Sequence, residues 1–361
     1  MRRVLIENLK PDMVVARTIF NSDGRILLHA GMVLTDHYIN RLANLNIASV
    51  YIKDHIFDEQ DLRDIISEET RIATIKAVKE GFTVLEQDRR LNISLVKNLV
   101  DNILEEMLAN PNVVINLSDI RVFDDYTFAH SVNVCVLSLM TGIVLGYNES
   151  RLKELGIGAL LHDVGKTRIN KELLNKPDDL TREEFEEVKR HTEYGFEIIR
   201  QYPEVSILSA HIALQHHERW DGHGYPRGLA GENVHEYARI AAVADVYDAL
   251  LADRPYRPSY TISQAITIIK RMSSIYFDER CVTAMVANIA VYPVGSFVQL
   301  NTGDYGVIID VNKQSPTRPV IRVFSDKYGR RLPQINEVDL SKLSTIMVFK
   351  ILNQEEIEQL V

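Results

Sequence analysis

Apolar residues along the 361-residue chain change their spacing three times, which divides it into four segments. From 1 to 55, short apolar runs alternate with turn residues. Val14, Val15 and Ala16 lead into Asn21-Ser22-Asp23-Gly24, a turn signal, and Arg25 to Leu28 returns as a second strand. Thr35 is placed to cap a short helix carrying Tyr38, Ile39 and Leu42, and SVYI at 49–52 closes the segment as a strand. Between 56 and 113 the period becomes helical. Ile65, Ile66, Ile72, Ile75, Val78, Phe82 and Leu85 fall roughly three and four apart, and Leu95, Leu99, Ile103 and Met107 form a second series that Asn110-Pro111 ends. These helices are expected to act as a connector or as a dimerisation segment.

Helical patterns continue from 114 to 291, where eight of the eleven histidines lie. From 292 to 361 the pattern reverts to strands: SFVQL, GVIIDV and PVIRVF are separated by Thr302-Gly303-Asp304, Ser315-Pro316 and Lys327-Tyr328-Gly329. The expectation is a multidomain chain whose all-α core is flanked by small β-rich N-terminal and C-terminal units.

Composition narrows the function classes. With 46% hydrophobic and 25% charged residues the chain reads as globular, with ample material for a core. A net charge of -9 argues against a general binder of DNA or of anionic membranes, so a phosphate-bearing ligand would have to be met by locally placed cations or metals. Cys135 and Cys281 are far apart in apolar surroundings, as expected of buried residues in a reducing compartment. The start, MRRVLIENLKPDM, lacks the apolar stretch of a signal peptide. The longest apolar run, from Val132, is broken by Asn133, Ser138, Thr141 and Gly142 and is too short and polar to span a bilayer. A cytoplasmic location is expected.

The chemistry lies in the third segment. His130 shares a helical face with Val134 and Leu137, and His162-Asp163 follows the apolar stretch IGALL. Thr181 and Glu184 form a capping box for a helix whose inward stripe is Phe185, Val188 and then His191. His216 and His217 open HHERWDGHGYP, and Asp245 and Asp248 interrupt the apolar run ARIAAVADVYDALLA. Any one of these residues is explained as a hydrogen-bonded core side chain. A carboxylate at Asp245 among Ala241, Ala244, Ala249 and Leu250 must nevertheless be paired, capped or bound to a metal. His130, His162, Asp163, His191, His216, His217 and Asp245 together exceed the three or four protein ligands of a single catalytic ion, and a pair of ions bridged by a carboxylate would use them all. Imidazoles mixed with a few carboxylates suit Zn, Mn, Fe, Co or Ni rather than Ca or Mg. Asp163 is the natural bridge, because neighbours on a helix diverge by about 100° and can address two points.

HDVGK at 162–166, with upstream His130, HHERWDGHGYP at 216–226 and DVYDALLADRPYRP at 245–258, resembles the HD-GYP subfamily of HD-domain phosphohydrolases over about residues 115 to 290. The resemblance implies an HD-type helical core and a bacterial phosphodiesterase that opens cyclic di-GMP to pGpG and, in some members, GMP. It also implies one metal site from His130, His162, Asp163 and Asp245 and a second from Asp163, His191, His216 and His217, with iron or manganese favoured. Asp163 and Lys166 would be catalytic, with Lys166 on the scissile phosphate. Gly224, Tyr225 and Pro226 would shape the substrate loop, and Arg254 and Arg257 would meet the ligand's phosphates. A hydroxide bridging the two ions is the expected nucleophile, since metal binding brings the pKa of water from about 15.7 towards 7. Some members carry a glutamate one turn before the first histidine and hold a third ion. Here that position is Tyr126, so two ions are expected. The alternatives are a cyclic-dinucleotide sensor or adaptor with little turnover, signalling through the 59–110 helices, and a hydrolase of a mixed cyclic GMP-AMP dinucleotide. Glu218 and Asp248 are expected to orient ligands, His211 to lie in the core and His223 to be exposed.

Overall fold

A computed structural model of the chain describes residues 2–20, 26–45, 47, 49–53, 65–88, 90–109, 126–174, 176, 178–252, 260–287, 289, 292, 294–312, 315, 317–352, 356–357 and 360. The chain divides into two compact units, one formed by Ile66–Pro111 with Tyr126–Asn288, the other carrying both terminal β-rich segments.

In the N-terminal segment β1 (Arg2–Leu5) pairs antiparallel with β4 (Ser49–Ile52), and β2 (Ile19–Phe20) pairs with β3 (Ile26–Leu28). Between them runs α1 (Asp36–Asn44), whose N-cap Thr35 accepts from the Tyr38 amide. Val4, Val15, Leu28, Leu34, Leu42, Val50 and Ile52 make its core. Val14 and Val15, expected as a strand, enter only as single bridges to Val33 and Ile52, and the expected turn at 21–24 lies outside the described residues.

The helical unit contains α2 (Glu68–Asp88), α3 (Ile93–Ala109), α4 (Tyr126–Val144), α5 (Glu149–Leu160), α6 (Lys171–Leu174), α7 (Arg182–Lys189), α8 (His191–Ile199), α9 (Ile207–Gln215), α10 (Glu236–Leu251), α11 (Ile262–Met272) and α12 (Glu279–Val286). Residues 129–142 of α4 are buried on every side, so this helix is the axis on which α2, α5, α10 and α12 pack. The apolar stripes of α2 and α3 are used inside the unit: Phe82 meets Phe128 edge-on, and α3 lies on α5. Such packing, more than helix propensity, holds these helices in place.

The C-terminal segment is a five-stranded antiparallel sheet in the order β8 (Arg331–Asp339), β7 (Val320–Ser325), β6 (Tyr305–Asp310), β5 (Phe297–Leu300), β9 (Val348–Ile351). Alternation along β5 to β7 sends Val298, Ile308 and Ile321 into one apolar cluster and Phe297, Val307 and Phe324 into another. The architecture is the expected one, a helical core flanked by β-rich segments. Among the described residues no helix is long and apolar enough to cross a membrane.

Candidate metal centre

Five places in the helical unit supply the polar side chains of one buried cluster. His130 comes from α4, His191 opens α8 and Asp245 lies on α10. His216 caps the C-terminus of α9 and His217 follows it. His162 and Asp163 do not lie within a helix as expected; they occupy the turn after the C-cap of α5, just before a 3-10 turn at Val164–Arg168. The helix end frees their side chains from the apolar face of α5 and aims both inward. His162 is 0% and Asp163 2% exposed.

Backbone hydrogen bonds orient the imidazoles. The Nδ1–H of His162 donates to the Ala159 carbonyl at 2.8 Å, that of His191 to Val188 at 2.6 Å and that of His216 to Ala213 at 3.0 Å. A carbonyl can only accept, so the proton of each neutral ring resides on Nδ1 and the Nε2 lone pair faces the cluster. His130 is set in the same way by a carboxylate: its Nδ1–H donates to Asp248 at 2.7 Å, and the amide of Asn133 holds the other Asp248 oxygen at 2.8 Å. Metal-binding histidines are typically fixed by such outer hydrogen bonds.

The ligand atoms fall into three overlapping groups, each within 4.8 Å: His130, His162 and Asp245; His191, His216 and His217; and His162, Asp163 and His216. Asp163 spans them. Its Oδ2 is 3.4 Å from His162 Nε2, while its Oδ1 is 3.6 Å from His191 Nε2 and 3.8 Å from His216 Nε2. Asp245 lies 3.1 Å from His130 Nε2 and 3.9 Å from His217 Nδ1. Lys166 Nζ is 2.5 Å from Asp163 Oδ2.

Electrostatics agree with this donor set. Burial opposes ionisation of Asp163, but Lys166 and His162 hold it well below the usual carboxylate range. Burial of Asp245 is likewise overcome by His130, and its pKa is lowered. Burial depresses His191 and His216 and brings His217 to about 4, keeping these rings neutral. His130 is the exception: burial is outweighed by Asp245 and Asp248, which raise it to about 10. Without an ion this ring is therefore protonated and its Nε2–H faces Asp245, and an ion bound there would displace that proton. His162 Nε2 and Asp163 Oδ1 are buried without a hydrogen-bond partner. Two buried, unpaired lone-pair atoms aimed at a common gap are what divalent metal ions would satisfy, so the residues fit the metal pair.

The helical elements are held close enough by Gly165. A Cβ at this position would fall 1.8 Å from the His191 carbonyl oxygen and 2.5 Å from the Gly195 amide, so only hydrogen lets the 3-10 turn meet α8.

Residues 216–231 form a loop folded back on itself. Tyr225 donates its backbone N–H to the His217 carbonyl, and a Cβ at Gly224 would lie 2.4 Å from the Arg219 amide nitrogen. The Tyr225 ring lies against His217, centroids 4.7 Å apart and 30° between planes. Glu218 is buried, but it does not orient a ligand as expected. Its carboxylate accepts from the backbone amides of Arg227 at 2.8 Å and Leu229 at 2.9 Å, closing the loop. Further anchors went unread in the sequence. Trp220 and Asp221 donate backbone N–H groups to Tyr276 and Ile275, and Arg219 pairs with Asp221 while its guanidinium lies 3.6 Å over the Tyr276 ring. Only the charge of Arg219 next to Asp221 hinted at this. Pro226 follows Tyr225 through a cis peptide bond. His223 is exposed, whereas His211 is half-buried rather than core, between Phe196 and His235. Arg254 and Arg257 lie outside the described residues.

Residues 102–281 match the model of the HD domain, and 297–360 match that of a KOW domain associated with the HD domain. A cyclic di-GMP phosphodiesterase of Thermotoga maritima is 31% identical over 282 residues, 78% of this chain and 73% of the relative. This chain belongs to the HD-GYP family. A cyclic di-GMP phosphodiesterase of Pseudomonas aeruginosa is 36% identical over 248 residues, 69% of the HD-GYP chain described above, which spans 60% of that relative's length. A 3'3'-cGAMP-specific phosphodiesterase of Vibrio cholerae is 35% identical over 160 residues, 44% of this chain and 35% of the relative. The fold is shared with an HDG"Y"P protein from Bdellovibrio bacteriovorus at TM-score 0.52 and 19% identity, over 78% of this chain and 97% of that one. An HD domain carries divalent metal, consistent with the donor cluster.

Proposed function

We propose that this HD-GYP chain is a metal-dependent phosphodiesterase that opens cyclic di-GMP to pGpG, GMP or both. The observation that carries the reading is the shared carboxylate of Asp163 between two sets of inward-facing imidazoles, with its Oδ1 unpaired. A bound pair of divalent ions would activate water and neutralise phosphoryl charge. His130, His162, Asp163 and Asp245 would hold one ion, and Asp163, His191, His216 and His217 the other. The nitrogen-rich set accepts iron, manganese, zinc, cobalt or nickel, and the family resemblance favours iron or manganese among them.

The chain's own groups do the rest. Lys166 keeps an ammonium at the mouth of the cluster, where it donates to a phosphoryl oxygen and stabilises the charge that grows there. Gly224-Tyr225-Pro226 brings an aromatic ring against His217 and closes one side of the site against water. Arg254 and Arg257 are assigned to the remaining phosphate by the resemblance. The buried free thiols of Cys135 and Cys281 support a reducing, cytoplasmic setting. Because the buried stripes of α2 and α3 are consumed inside the unit, a homodimer through 59–110 would use their exposed faces, including Val84 and Leu108.

The names of relatives from Vibrio cholerae favour a second substrate, a mixed guanine and adenine cyclic dinucleotide. The test is incubation of anaerobically purified, metal-analysed protein with cyclic di-GMP and 3'3'-cGAMP in parallel, with chromatography of the products. Linear dinucleotide or mononucleotide from cyclic di-GMP is expected, and Asp163→Ala should abolish it and lower metal content. Binding without turnover would replace the enzyme by a sensor.

A further inference from the structure

Phe185 stands where neither the core nor the metal cluster accounts for it. Its place on the stripe with Val188 and His191 predicts burial, and the capping box of Thr181 and Glu184 forms as expected. Yet Phe185 is 45% exposed, and α7 buries none of its residues. The ring is not isolated. It meets Tyr225 edge-on at 6.2 Å and 77°, and Tyr225 in turn lies on His217. Lys189, one turn along α7, holds its ammonium 4.8 Å from the Phe185 centroid and 5.4 Å from that of Tyr225. An aromatic surface carrying a cation therefore runs outward from the donor cluster.

We propose that Phe185 and Lys189 form a base-binding subsite, in which a guanine stacks on the open face of Phe185 and Lys189 donates to its O6 and N7 edge. The inference rests on the phosphodiesterase reading, since a phosphate held by Lys166 and by ions bound at the donor cluster would leave the bases of a dinucleotide to reach outward. Phe185 has no polar atom with which to read phosphate or sugar, but every base offers a face for stacking. Lys189 adds selectivity, because guanine presents two acceptors on that edge whereas adenine places a donor beside its single acceptor. Its present partner, Glu186 at 2.7 Å, is 59% exposed, and such a surface pair exchanges readily for a ligand.

The test uses the full chain with metal bound. Phe185→Ala should raise KM for cyclic di-GMP about tenfold with a much smaller change in kcat, and Phe185→Trp should restore it. Calorimetry gives a second readout: Phe185→Ala should weaken GMP binding by a similar factor and leave ribose 5-phosphate unaffected, and Lys189→Met should weaken GMP more than AMP. Metal content of both variants should match the parent. A parent that binds GMP through Phe185 but does not cleave cyclic di-GMP would refute the phosphodiesterase reading and keep the subsite. Unchanged KM and GMP affinity in Phe185→Ala, or equal loss of GMP and ribose 5-phosphate, would overturn the subsite.

Discussion

Asp248 decides which nitrogen of His130 faces the centre, although it offers no atom to the donor groups itself. Its two oxygens are taken by His130 and Asn133, so the ring is held from behind. Asp248→Ala should lower metal affinity by about 10- to 100-fold with the helices intact, as measured by metal titration beside circular dichroism. Parent-like affinity would show that packing alone holds the ring. Gly165 acts at the same scale through absence of volume. Gly165→Ala must push the 3-10 turn from α8, separating Asp163 from His191; a loss of about 1–3 kcal/mol in stability, read as a lower Tm, should accompany loss of metal. The residues that gather in the donor cluster were legible in the sequence because polar side chains recur in apolar runs. Gly165 was not, because close approach of two backbones has no sequence pattern of its own.

At the scale of elements, Glu218 closes the 216–231 loop by accepting two backbone N–H groups, while Trp220 and Asp221 pin the loop to 275–276. Glu218→Gln keeps the size but loses the charge that strengthens both bonds. Faster amide exchange at Arg227 and Leu229 and a raised KM are expected, with metal content unchanged; unaltered exchange would mean that the pins alone suffice. Helices were well read from their spacing: α2 and α3 bury Ile75, Val78, Phe82, Ile103 and Met107 as predicted. Strands were read less completely. β8 was missed because RLPQINEVD is largely polar and lies at a sheet edge, where one face and one flank meet solvent. β1 was missed because VLI is too short a run to separate strand from helix. Phe185 was misread for a different reason: periodicity shows which residues share a face but not what covers it.

For the whole molecule, the division into two compact units predicts separable stability. A chain ending at 291 should retain the helical unit, checked by helical circular dichroism and by metal content; unfolding of that unit would show that it depends on the C-terminal sheet. Acid should weaken the folded state in a traceable way. Burial lowers the pKa of His211 and of His235 below the ordinary histidine value. At these two residues the folded chain thus binds fewer protons than the unfolded one below about pH 6.5, and their contribution to stability falls as pH drops from there towards the lowered values. His211→Gln with His235→Asn, the second keeping a helix cap, should flatten this part of the Tm against pH curve. An identical slope would assign the effect to other groups.

The anchoring of His162, His191 and His216 on carbonyls of their own turns has a consequence for how the protein meets scarcity. Rings locked by the backbone stay aimed whether or not a cation lies between them, and the core that carries them is apolar. Chelation should then leave a silent but intact molecule that regains its function on resupply, without passing through denaturation. Availability of the ion would set how many copies are at work, leaving the number that are folded unchanged.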